Sequence, residues 1–137
     1  MSQRARLRSQ DGFIREALWI VVILTVIAVV ILDGMAIFNA YQSAGDNATN
    51  AADEARTDYA QTTDVAAAKL AADEYLSKKG LEMVAFKAAQ TSDGTVMFTV
   101  TAKATTDTYA FHYLGAIPPL KDWVERTTHP VQTGNAE

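Results

Sequence analysis

Hydrophobic positions along this 137-residue chain follow three successive patterns, and each predicts a different element. The first is unbroken. From Ala17 to Leu32, ALWIVVILTVIAVVIL, Thr25 is the only polar side chain. At a helical rise of about 1.5 Å per residue the run covers roughly 24 Å. A core helix needs only an apolar stripe, so four turns that are apolar on every face predict a membrane segment. The hydrocarbon core of a bilayer is thicker, at about 30 Å. Met35, Ala36, Ile37 and Phe38 resume the run after Asp33 and Gly34 and supply the difference. The predicted transmembrane helix is therefore 17–38, with a polar tail at 1–16.

The second pattern has a period of four. Ala36, Ala40, Ala44, Ala48 and Ala52 recur at that spacing, with Ala51 and Ala55 beside them. Ala is the strongest helix former, and the first Pro is Pro118, so the membrane helix is expected to continue outward over 39–62 as one rod. Gly45 is its weak point, costing about 1 kcal/mol relative to Ala. The seven alanines form a candidate helix-packing face, because small side chains let another backbone approach closely. Farther on, Val65, Ala68, Ala72 and Leu76 share one face. They predict a second helix over 64–79, capped by Thr63 or Asp64 and stopped by Gly80.

The third pattern alternates. Val84, Phe86 and Ala88 interleave with Met83, Ala85 and Lys87; past Thr91-Ser92-Asp93-Gly94, Val96, Phe98, Val100 and Ala102 interleave with Thr95, Met97, Thr99 and Thr101. Two alternating runs around Asp-Gly predict a β-hairpin. Residues 106–115 predict a short helix with Asp107 as its cap, and Trp123 to Thr128 alternates as a third strand. The expected architecture is α+β: the long helix, a short second helix, and a small antiparallel sheet. A small extracytoplasmic domain spans 63–130, and 131–137 is a frayed tail.

Charge orients the segment. Residues 1–16 carry Arg4, Arg6, Arg8 and Arg15 against Asp11 and Glu16, whereas residues 33–137 carry 8 basic and 14 acidic side chains. Short basic flanks stay cytoplasmic, so the N-terminus is expected inside and the bulk of the chain outside. A cleaved secretory signal is the competing reading, with Gly34-Met35-Ala36 as a weak small-x-small site. It fits poorly with the length of the run and with Asp33 beside that site.

Candidate chemistry is sparse. The absence of Cys excludes disulfides, thiolate metal sites and a cysteine nucleophile. His112 and His129 have no metal-ligand spacing, and no phosphate loop, dinucleotide fingerprint or nucleophile elbow occurs. Neither an enzyme, a cofactor nor a small-molecule substrate is expected, and the acidic outer part argues against nucleic acid. Asn47-Ala48-Thr49 is a bare glycosylation sequon. Glu16 and Asp33 bracket the apolar run. An intramembrane carboxylate costs a few kcal/mol unless it is paired, so both are candidate subunit contacts within the membrane, and Asp33 equally marks where the helix leaves the bilayer.

In order, the chain carries Gly12 followed by Glu16, the apolar run, Asp33 at its outer end, and the stretch Asn50 to Ala55 (NAADEA). A second Ala-rich helix, a hairpin and a Tyr/Phe-rich segment ending in Leu114-Gly115 follow. This order resembles the TadE/TadG-like proteins, minor pilin-like or assembly subunits of the tight-adherence (Flp) branch of type IV pili. The resemblance implies a non-enzymatic subunit of the bacterial cytoplasmic membrane. Its partners would be the lipid bilayer and other membrane or pilus-machine subunits, in a homo- or hetero-oligomer built through the long helix. It also implies a processing site between Gly12 and Phe13, with Glu16 neutralising the free amine of a neighbour. Glu16 stands four residues after Gly12 where the family's glutamate usually stands five after, and Arg15 interrupts the apolar positions. Both departures favour an uncleaved, membrane-resident subunit. The alternative is a membrane-anchored adaptor whose outer domain binds another envelope complex.

Overall fold

The computed structural model describes residues 3–137, with side-chain surroundings for residues 13–137. Helix α1 runs unbroken over Gln3–Thr62, 60 residues or about 90 Å. It ends because Thr63 adopts a left-handed backbone (φ 55°), rare for a β-branched residue, and redirects the chain. Asp64 then caps helix α2 (Val65–Lys78) through a 2.8 Å bond from the Ala66 amide, as the sequence predicts. Gly80, at φ 72°, ends that helix, and Leu81 donates back to the Leu76 carbonyl.

Strands β1 (Glu82–Gln90), β2 (Val96–Lys103) and β3 (Val131–Ala136) form an antiparallel sheet in the order β1-β2-β3. Between β2 and β3 lie helix α3 (Ala110–Leu114), a 3-10 turn at Pro118–Leu120 and helix α4 (Lys121–Thr128). The fold is the expected α+β arrangement, and α1 is its spine. Its C-terminal half carries α2 and the sheet directly on the Ala stripe.

Phe98 is the centre of the core. It is fully buried between Tyr59 of α1 (ring centroids 5.4 Å apart) and Phe86 of β1 (6.0 Å), above Leu76 and Val100. Such tilted aromatic pairs add about 0.5–1.5 kcal/mol each beyond the area they bury.

Three local expectations differ from the structure. Trp123 to Thr128 is helical, not a strand, because Leu120, Val124 and Thr128 fall at helical spacing and Val124 and Thr128 are the buried pair. Residues 131–136 are the third strand, not a frayed tail. Small inward residues, Gly134 and Ala136, let this strand lie against the α1 backbone. On β1 a bulge between Met83 and Ala85 resets the alternation. Met83 joins Phe86 against the core, and Val84 turns out to solvent.

Candidate functional site

Among the described residues, one helix is long and apolar enough to cross a membrane, and it lies near the N-terminus. From Phe13 to Leu32 its large apolar side chains are exposed around the whole circumference. The chain's own domain leaves most of them uncovered, so this surface is the candidate membrane-crossing feature of the molecule. Glu16 is exposed on it, beside exposed Arg15 and Phe13. Gly12, on one side of the expected Gly12-Phe13 processing site, lies outside the residues whose surroundings are described.

Asp33 behaves differently from the expectation that it faces a neighbouring subunit. It is only 1% exposed, and its carboxylate is satisfied inside the chain. Oδ1 accepts from the Tyr109 amide at 2.8 Å, and Oδ2 accepts from the Ala110 and Phe111 amides at 2.7 and 3.0 Å. These are the free N–H groups at the start of α3, where a negative charge is favoured by the helix dipole. Asp107, the sequence's candidate cap, is not used, and Tyr109 at the N-cap position makes no side-chain bond to its own helix. The cap comes from a residue 76 positions earlier. A buried carboxylate and an uncapped helix start each carry a cost when alone; together they resolve both.

The Ala face divides along its length. Ala44, Ala48, Ala51, Ala52 and Ala55 are fully buried, while Ala36 and Ala40 are half-buried. It is a packing face, as the period-four pattern implies, but its partners are this chain's own α2 and β3 rather than a neighbouring subunit's helix. Gly134 of β3 sits so close that an added Cβ would stand 2.1 Å from the Thr49 nitrogen and 2.4 Å from the Ala48 carbonyl carbon. Gln132 lies over Gly45 less tightly, its Cγ 3.8 Å from where a Cβ would be, which is ordinary van der Waals contact. At the strand's end, Arg56 donates to the Glu137 carbonyl at 2.7 Å. Asn47 is half-buried and engaged on both sides: its Nδ2 donates to the Ser43 carbonyl at 2.8 Å, and its Oδ1 accepts from the Tyr75 hydroxyl at 3.2 Å. The sequon is therefore an α1–α2 tie within a helix, not a free acceptor loop.

A cleft of about 380 Å³ opens between residues 105–108 and α4, and both histidines line it along with Lys121 and Glu125. Two of its polar side chains are engaged with helix carbonyls: Thr128 Oγ1 donates to Val124 at 2.9 Å, and His129 Nδ1 stands 3.1 Å from the Glu125 carbonyl, whereas Thr106 Oγ1 is buried with no hydrogen-bond partner. Among the described residues no three His, Cys, Asp or Glu side chains are grouped to hold a metal ion.

Sequence reasoning missed the Asp33–α3 clasp and Gly134. The first had a faint signal in a lone Asp ending an apolar run. The second had none, since TGNA reads as a turn. Comparison of the chain with protein-family models, curated proteins and solved structures finds no match.

Proposed function

We propose that the chain is a non-enzymatic, single-pass membrane subunit, pilin-like, that serves the assembly of, or is incorporated into, a tight-adherence-type pilus or a related envelope machine. The basic tail lies in the cytoplasm, and the α+β domain lies outside the bacterial cytoplasmic membrane. The observation that carries this reading is the continuity of α1. The exposed apolar span and the Ala face that seats the domain belong to one helix without a linker. A tethered receptor or enzyme domain gains reach from a flexible linker. Here span and domain are instead one rigid piece, suited to a subunit whose neighbours must register with it through the membrane helix.

Intact mass and N-terminal sequencing of membrane-extracted protein test the pilin reading. A start at Phe13 that disappears in Gly12→Val supports processing before fibre entry. An intact N-terminus together with pilus-machine subunits in a mild-detergent pull-down supports the membrane-resident role. An intact N-terminus with only an unrelated envelope complex supports the anchored adaptor. Full activity after deletion of residues 17–32 overturns the anchoring on which every version depends.

A further inference from the structure

The clasp at Asp33 has a positional consequence for the lobe made of α3, the Pro118–Leu120 turn and α4. Three α3-end amides lie within 3.0 Å of a carboxylate that immediately follows Leu32, the last residue of the apolar run. The start of α3 is thus held at the outer hydrocarbon boundary. Beside its charged positions the lobe exposes aromatic and aliphatic side chains. Tyr109 is 73% exposed and Tyr113, one turn on, 77%, while Ile117 and Trp123 are 44% and 47% exposed. Trp123 is steadied by Phe111, with ring centroids 5.5 Å apart. On α1, Met35, Phe38 and Tyr41 continue the exposed apolar surface at a three-residue spacing. Ala17 to Tyr41 corresponds to about 37 Å of helix, close to the roughly 40–45 Å of a bilayer with its headgroup zones. Tyr and Trp favour that zone because one end of each ring is apolar and the other wet.

We propose that this lobe is an interfacial foot, with Tyr109, Tyr113, Ile117 and Trp123 seated among the lipid headgroups of the outer leaflet. The inference rests on the membrane-anchoring reading above and extends it. The foot is not electrostatic: Lys121 and Arg126 are offset by Asp107, Asp122 and Glu125 across the lobe, so zwitterionic lipid suffices. Its role is to fix the tilt and height of the domain. A helix crossing a bilayer alone can tilt and turn. A second contact point, clasped to the helix at the boundary, removes much of that freedom.

The chain's two tryptophans, Trp19 and Trp123, make the test internal. Full-length protein is reconstituted in phosphatidylcholine vesicles, with and without phosphatidylglycerol. Trp19→Phe leaves Trp123 as the reporter, and Trp123→Phe leaves Trp19. Quenching by lipids brominated near the headgroup or deep in the acyl chain gives depth, and aqueous iodide gives exposure. The expected result is that Trp123 is quenched by shallow bromines at least two-fold more than by deep ones, equally with or without anionic lipid, and is shielded from iodide. Adding Asp33→Ala, which releases the clasp, is expected to reduce that quenching at least two-fold. Trp19 quenched by lipid while Trp123 stays open to iodide overturns the foot and leaves the anchor standing. Trp123 shielded from both quenchers also overturns it, because a protein contact then covers the patch. Loss of lipid quenching at Trp19 as well overturns the membrane reading itself.

Discussion

Gly134→Ala is the sharpest test of how the α+β domain is mounted on α1. The added methyl would enter the α1 backbone, 2.1 Å from Thr49 N and 2.4 Å from both Ala48 C and Thr49 Cα. These atoms belong to a continuous helix and cannot rotate aside as a side-chain tip can. Ordinary contact begins near 3.4 Å, so β3 must retreat by more than 1 Å. That retreat opens a gap along an interface in which Ala44, Ala48, Ala51, Ala52 and Ala136 are all buried. A radial gap of that size forfeits a quarter to a half of each dispersion contact, and overpacked sites typically cost about 1–3 kcal/mol. With helix backbone as the obstacle, the upper end applies, about 3 kcal/mol. For a domain of this size each kcal/mol lowers Tm by about 4–8 °C, so a fall on the order of 15 °C is expected. Thermal unfolding of detergent-solubilised protein in a Trp19→Phe background, followed by Trp123 emission rather than by helix content, reads the domain without the apolar part of α1. Gly34→Ala is the control, since a Cβ there meets nothing within 4 Å. A Gly134→Ala variant melting within about 2 °C of wild type would refute the close seating of β3 and the reason offered for the Ala stripe.

Three further outcomes follow from the same geometry. Gly34→Ala itself is expected to stabilise α1 by up to about 1 kcal/mol, because Gly in a helix interior carries that entropic penalty; a loss of stability would show that Gly34 serves a contact or hinge. Asp33→Ala removes three hydrogen bonds to a charged acceptor at about 1.5 kcal/mol each, offset by the carboxylate burial no longer incurred. A net loss of about 2 kcal/mol is expected, seen as faster amide exchange at residues 109–111, with exchange in β2 unchanged. Asp93, in the hairpin turn, is held below the ordinary carboxylate range, first by the Thr91 hydroxyl and then by the Thr95 amide. Its folded value is depressed, so its contribution is present above the unfolded pKa of about 3.9 and is lost as pH falls through the folded value. An NMR titration of the Thr95 amide is expected to show a midpoint below the free-carboxylate value, and a midpoint at or above it would contradict the turn geometry.

Elements whose pattern is set by neighbours along the chain were legible in the sequence. The apolar run, the period-four alanines, the Asp64 cap and the Asp-Gly turn each declare themselves within a few residues, and the structure places them as expected. The misread features depend on partners distant in sequence. TGNA is a strand only because α1 offers a groove of alanines to a glycine 86 residues beyond Ala48. Val84 faces out only because the pairing with β2 carries a bulge. Trp123 to Thr128 alternates by accident, and its helix is fixed by the burial of Val124 and Thr128. Asp33 was legible as a boundary and not as a cap, because the amides it receives come from a segment that local pattern assigns to Asp107.

The fate of the Ala stripe also decides where a neighbouring subunit can meet this one. A period-four alanine face on a pilin-like helix invites the inference that it mates with other helices. Here Ala44, Ala48, Ala51, Ala52 and Ala55 have no surface left to offer, because α2 and β3 already fill the groove. On the proposed subunit role, contacts between copies would use the exposed span and the part of the rod beyond the Ala face, where Phe38 and Gln42 are open. The cysteine-free chain makes this directly measurable, since any single introduced thiol reports alone. Oxidative crosslinking in native membranes is expected for Val26→Cys, Phe38→Cys and Gln42→Cys. It is expected to be absent for Ala48→Cys and Ala52→Cys, where the added sulfur enters a packed interface at a cost of about 1–3 kcal/mol each. Amide exchange in β2 verifies that the last two variants remain folded. Crosslinking at Ala48 in a protein with protected β2 amides would mean that the domain lifts off its own helix to let a neighbour in. The rigid-subunit reading would then give way to one in which the Ala face is shared between two alternative partners.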